Sequence, residues 1–106
     1  MFTFKKIEDE ECREFVGDIV IELVKQMREH PFVINKGRCE EFASELQEVL
    51  GDDAEILTFD DVDPNDRTVG HYFVKYKQRY YDAEEPFGVK DYKHLPIWQR
   101  SLREWD

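Results

Sequence analysis

Three residues of this 106-residue chain, Cys39, His71 and Asp82, combine into a unit that could do covalent chemistry. Cys39 follows Gly37-Arg38 and opens a run, Glu-Glu-Phe-Ala-Ser-Glu-Leu46, whose apolar members recur at helical spacing. The thiol therefore stands at a helix start, where the positive end of the dipole stabilises a thiolate, the nucleophilic form. Arg38 acts in the same sense, while Glu40 and Glu41 oppose it. Gly70-His-Tyr-Phe-Val-Lys-Tyr76 and Arg79-Tyr-Tyr-Asp82 read as two strands joined by a tight turn at Lys77-Gln78. With Tyr76 opposite Arg79 and Phe73 opposite Asp82, strand alternation places His71, Phe73, Lys75, Tyr80 and Asp82 on one face. His71 and Asp82 are then diagonal neighbours, with backbones roughly 5.5–8 Å apart. A carboxylate on one imidazole nitrogen fixes the tautomer and leaves the other nitrogen to face a thiol. Nucleophile, base and orienting group in that order are the parts of an acyl-transfer site.

Each residue alone has a plainer reading. Cys39 lies in register with Phe42, Ala43 and Leu46 and would serve as a small core residue. A histidine at a strand start is ordinarily a half-exposed polar group, and an aspartate closing a strand is ordinarily a turn former. The ordered combination carries the chemical reading, and a one-residue register slip would break it.

The elements that must position these groups follow from periodicity. Ile7, Cys12, Phe15, Val16, Ile19, Val20, Leu23, Val24 and Met27 recur at three- and four-residue steps, predicting an amphipathic helix over about residues 8–29, ended by Pro31. Residues 2–6 alternate weakly and read as a short edge strand or extended arm. A connector, Phe32–Gly37, leads to the helix that begins at Cys39 and stops at Gly51. Ala54–Phe59 reads as a strand, and Asp60–Thr68 as an acidic loop with a turn at Pro64-Asn65. After the two strands of the site, Pro86, Gly88 and Pro96 mark a tail whose last ten residues read as a short helix or turn that packs its tryptophans on the body. The expected fold is one α+β domain over residues 1–106, with two N-terminal helices packed on a small antiparallel sheet.

Composition narrows the partners. A net charge of −10 disfavours nucleic acid and anionic membrane, since phosphate recognition needs a dense basic face. The charge is uneven: residues 1–66 hold 19 acidic and 7 basic residues, so that half could face a basic protein. No segment approaches the ~18 apolar residues of a membrane span, and the start turns acidic where a signal peptide would be apolar. The expected setting is the cytoplasm. Two cysteines, Cys12 and Cys39, are too few for a disulfide framework or a zinc site. Asp61-Val-Asp-Pro-Asn-Asp66 has the opening spacing of a calcium loop, but Asp66 stands where glycine is needed and Tyr72 where glutamate is. No metal or cofactor is expected. The aromatics Tyr72, Tyr76, Tyr80, Tyr81, Phe87, Tyr92, Trp98 and Trp105 could line a groove, although most read as packing.

Gly37-Arg-Cys-Glu-Glu-Phe-Ala43 resembles the Gly-x-Cys-x-x-aromatic-small segment of transglutaminase-like proteins; Gly70-His-Tyr-Phe-Val74 and Arg79-Tyr-Tyr-Asp82 resemble their His- and Asp-bearing strands. The resemblance implies a minimal papain-like core, with Cys39 as nucleophile, His71 as general base and acid, and Asp82 as orienter. Of the two oxyanion donors such a site needs, Asn35 is the nearest side-chain amide and the Cys39 backbone N–H is the other. The expected activity is a thiol-dependent hydrolase or acyl transferase acting on an amide, isopeptide or thioester in a protein or peptide. The rival expectation is a non-catalytic acidic binding or inhibitory module on the same fold.

Overall fold

The computed structural model describes the backbone of residues 2–62 and 71–105, and the side chains of 11–59, 61–62 and 71–100. The Pro64-Asn65 turn, most of the Asp61–Asp66 run, Gly70, and the packing of Leu102 and Trp105 lie outside these residues. Helix α1 spans Phe2–Met27, so residues 2–6 belong to its first turns rather than to a strand or arm. Pro31 does end that helical course, but it also opens α2 (Pro31–Gly37) where a connector was expected. Proline suits a first helical position because its fixed φ is already helical and its missing N–H would have no partner there. The preceding His30 caps α2, its Nδ1 accepting from the Phe32 N–H at 3.2 Å.

Helix α3 (Cys39–Leu50) ends at Gly51, whose φ of +93° is one that side chains rarely adopt. Strand β1 (Glu55–Thr58), the short helix α4 (Phe59–Val62), and strands β2 (Tyr72–Tyr76), β3 (Arg79–Asp82) and β4 (Glu85–Val89) follow. A 3₁₀ turn at Tyr92–His94 leads to α5 (Pro96–Trp105). The four strands form an antiparallel sheet in the order β1-β2-β3-β4. Strand β4 is an addition to the sequence expectation, which placed Pro86 and Gly88 in a tail. On an edge strand neither breaks pairing, because a proline lacks only a donor that would face outward.

The sheet is covered on both faces. On one, Val74 and Tyr81 pack against Val16, Val20 and Leu23 of α1 and Phe42, Ala43 and Leu46 of α3. On the other, Phe73 and Tyr80 meet Phe59 of α4, together with Leu95, Tyr92 and Trp98. The architecture is α+β, with α1 and α3 layered on a small antiparallel sheet. Two close approaches hold α1 and β4 in place. A Cβ on Gly17 would lie 2.4 Å from the Phe87 ring, and one on Gly88 2.7 Å from the Tyr81 ring. No helix among the described residues is long and apolar enough to cross a membrane.

The β2–β3 turn adopts the expected register, Tyr76 opposite Arg79 and Val74 opposite Tyr81. Its central residues, Lys77 and Gln78, both have positive φ, 49° and 69°. That turn matches the twist of a hairpin but favours Asn-Gly, and each other side chain placed there costs about 1–2 kcal/mol. The double substitution Lys77→Asn with Gln78→Gly is expected to stabilise the domain by about 1 kcal/mol and raise its thermal midpoint by roughly 5 °C. A melt with an unchanged or lower midpoint would refute the assignment of strain to this turn.

Candidate active site

The thiol is placed by a single residue. Arg38 is both the C-cap of α2 and the N-cap of α3, with φ −129° and ψ 23°, and it breaks the helical course just before Cys39. Its side chain does not cap α3. It instead reaches back to donate to the Met27 carbonyl at 3.1 Å and forward to pair with Glu41 of the first turn of α3 at 2.6 Å. The first-turn N–H groups of α3 are thus left to whatever lies at the helix start, with the positive end of the dipole behind them.

Cys39 is half-buried and in no disulfide. Burial alone would push its pKa up. Hydrogen bonding to the His71 imidazole, the backbone N–H of Tyr72, attraction to His71, and the backbone N–H of Glu40 outweigh that penalty and hold the thiol below its ordinary value. These donors converge on one sulfur from α3, from β2 and from the residue before it.

His71 is 2 % exposed and immediately precedes β2. Its Nε2 lies 3.0 Å from Asp82 Oδ2, and since a carboxylate can only accept, that nitrogen carries a proton. Nδ1 is buried and has no nitrogen or oxygen partner. With Nε2 committed to Asp82, Nδ1 is the nitrogen left for the thiol. Burial lowers the imidazole pKa, but the hydrogen bonds to Asp82 and Cys39 and their charges more than reverse this, raising it to about 9. The ring packs against Phe59 and Phe73, with centroids 5.6 and 6.1 Å away, so the three rings cluster and the two phenylalanines shield it from water on that side. Asp82, 1 % exposed, closes β3 and has both oxygens engaged: Oδ2 on His71 and Oδ1 on the Glu84 backbone N–H at 2.9 Å. Cys39, His71 and Asp82 therefore meet, in the order read from the sequence.

Asn35 is placed differently. It is 3 % exposed, and its Nδ2 donates to Glu84 Oε1 at 2.9 Å, which commits the side chain to a carboxylate. The donors beside the sulfur are backbone N–H groups. Two residues that the sequence reading passed over, Glu84 and Arg100, form a bidentate pair adjoining the site, with contacts of 2.7 and 2.9 Å. Glu84 stands two positions after Asp82, a spacing that gives it no distinction until the β3–β4 turn is known.

An apolar groove of about 410 Å³ opens behind this turn, lined by Val20, Ile21, Val24, Pro31, Ala83 and Pro86 among others, and none of the three site residues lines it. Among the described residues, no group of three or more His, Cys, Asp or Glu side chains is arranged to hold a metal ion. Comparison with family models, curated proteins and solved structures returns no match for this chain.

The His71–Asp82 pair makes stability depend on pH with a definite sign. The imidazole titrates near 6.5 unfolded and about 9 folded, so its contribution is fully present below about pH 6.5 and is lost as pH rises through about 9. Asp82→Ala removes the partner of a buried cation and is expected to cost about 3–5 kcal/mol at pH 6. That deficit shrinks toward pH 9, measured by chemical denaturation across the range. A deficit independent of pH would mean that the imidazole is not charged in the fold.

Proposed function

We propose that this chain is a thiol-dependent hydrolase or acyl transferase acting on an amide, isopeptide or thioester, built on a transglutaminase-like or papain-like plan. The observation that carries the reading is the imidazole of His71, buried and held at 3.0 Å by Asp82 on one nitrogen, with the Cys39 thiol near enough that each shifts the other's pKa. A raised imidazole pKa and a lowered thiol pKa favour a thiolate–imidazolium pair near neutral pH. The nucleophile is then charged before substrate arrives.

In the first half-reaction Cys39 Sγ attacks the acyl carbon and the carbonyl π electrons move to oxygen. The donor assigned to that oxyanion in this reading is the Cys39 backbone N–H, at the positive end of α3. When the tetrahedral intermediate collapses, the bond to the leaving group breaks and the imidazolium gives it a proton, leaving a thioester and neutral His71. In the second half, His71 takes a proton from water or an incoming amine. That nucleophile attacks the thioester, and the thiolate–imidazolium pair returns with the product. Asp82 keeps the ring oriented and supports its positive charge in both steps.

The substrate we propose is a protein or peptide, since the half-buried thiol sits at the surface end of a helix rather than in a closed cavity. The chain's acidity argues against nucleic acid. The proposed setting is the cytoplasm, where an activated thiol stays reduced.

The test is the rate of Cys39 alkylation by iodoacetamide between pH 4 and 10, with Cys12 replaced by Ala. Wild-type Cys39 is expected to react with a midpoint well below the ~8.5 of a free thiol, and His71→Ala to move it toward that value. Once a substrate is in hand, turnover should rise through the thiol midpoint and fall above about pH 9, as the imidazolium loses the proton it must donate. Asp82→Asn should lower kcat by ~10²–10⁴-fold. If Cys39 resists alkylation until the protein unfolds, the catalytic reading is wrong, and an acidic binding module becomes the better account of the fold.

A further inference from the structure

The orientation of Asp82 depends on a second anchor. A carboxylate turns easily about its last side-chain bond, because that torsion has no deep staggered wells. One hydrogen bond to His71 would leave the other oxygen swinging. Here Oδ1 is pinned by the Glu84 backbone N–H at 2.9 Å, within the two-residue turn Ala83-Glu84 that joins β3 to β4. Where that N–H points is set by where the Glu84 residue sits.

Glu84 is tied from two directions. Its Oε1 accepts from Asn35 Nδ2 of α2 at 2.9 Å and from Arg100 Nη2 of α5 at 2.7 Å, and its Oε2 accepts from Arg100 Nη1 at 2.9 Å. The Arg100 guanidinium also stacks on the Phe32 ring of α2, 4.6 Å from its centroid. The pair is shielded, with side chains 15 % and 29 % exposed, and the planar fork gives it the directional rigidity that a single ammonium contact would lack. One carboxylate thus joins α2, the β3–β4 turn and α5 directly behind the group that orients the imidazole.

We infer that Glu84, clamped by Arg100 and Asn35, is a positioning residue of the Cys39–His71–Asp82 site, holding the turn so that Asp82 presents Oδ2 to His71. The inference rests on the proposed reading of that site, but it has a readout of its own. Glu84 touches neither the sulfur nor the imidazole, so it acts through Asp82.

A direct charge effect is the competing explanation, because the Glu84 carboxylate also attracts the His71 imidazolium. The charged and titratable groups facing His71 are Asp82 of β3, Cys39 of α3 and Glu84 of the turn, with Arg100 behind Glu84. The two explanations differ in sign. If Glu84 acts by charge, Glu84→Gln lowers the His71 midpoint, whereas Arg100→Gln uncovers the carboxylate and raises it. If Glu84 acts by position, both substitutions loosen Asp82 and both lower the midpoint.

The experiment is a ¹⁵N NMR titration of the His71 ring in the full-length wild type, Glu84→Gln, Arg100→Gln and Arg100→Lys, each checked for folding by circular dichroism. Gln47→Ala serves as a control, losing a hydrogen bond to the Ala54 carbonyl at the far end of α3. Expected results are a fall in midpoint of roughly one unit for both Gln variants, a smaller fall for Arg100→Lys, and none for the control. Cys39 alkylation at pH 6 should slow by about 3–10-fold in the same order. Opposite shifts for Glu84→Gln and Arg100→Gln, or no shift in either, would overturn the inference. The ring titration does not depend on thiol reactivity. An unreactive wild-type Cys39 therefore counts against the catalytic reading, and an unmoved midpoint counts against Glu84.

Discussion

A carboxylate and an imidazole buried in contact govern much of what surrounds them. Taking either charge out of water is costly, and the mutual attraction offsets that cost only if the remaining hydrogen-bonding positions are also filled. Around Asp82 they are filled, with Oδ2 on the imidazole and Oδ1 on a backbone N–H, leaving neither oxygen unpaired. Around His71 the second nitrogen is left for the thiol, and the ring is walled by Phe59 and Phe73. The aromatic walls keep water out and so strengthen the attraction within, but they equally raise the cost of any partner that is missing.

Delivery of the thiol to that pair is a backbone matter. α2 and α3 are almost one helix, interrupted at Arg38, and the interruption begins a second helix, with its own N–H groups lacking intrahelical partners, where the sulfur stands. An aspartate or serine at position 38 would cap α3 and steady it. Arginine instead sends its guanidinium to the Met27 carbonyl of α1 and to Glu41 of α3, giving up a side-chain cap. The sequence at this point departs from what the helix alone would favour.

The elements legible beforehand were those whose information is local. The apolar recurrence from Cys12 to Met27, the start at Cys39 and the stop at Gly51 each follow from residues within a turn or two of one another. The hairpin was legible for a similar reason: a tight turn centred on Lys77-Gln78 sets a register by alternation that places His71 near Asp82, and the strands adopt it. Strand β4 was missed because a proline and a glycine within five residues gave Glu85–Val89 the look of a tail. Whether they interrupt depends on sheet order, since only an edge position tolerates that proline. Asn35 was assigned by its nearness to Cys39 along the chain, while through space its partner is Glu84, 49 residues away.

By itself, then, the sequence determined the helix faces, the hairpin register and the three residue types that could act together, because these depend on periodicities of two and three-and-a-half residues. The tertiary structure decided that the imidazole is buried against Asp82, that the sulfur is met by backbone donors from both α3 and β2, and that Asp82 is braced through Glu84 by α2 and α5. Those outcomes join positions 35, 39, 71, 82, 84 and 100. They follow from how two layers of helices close over one sheet, and no local pattern encodes them.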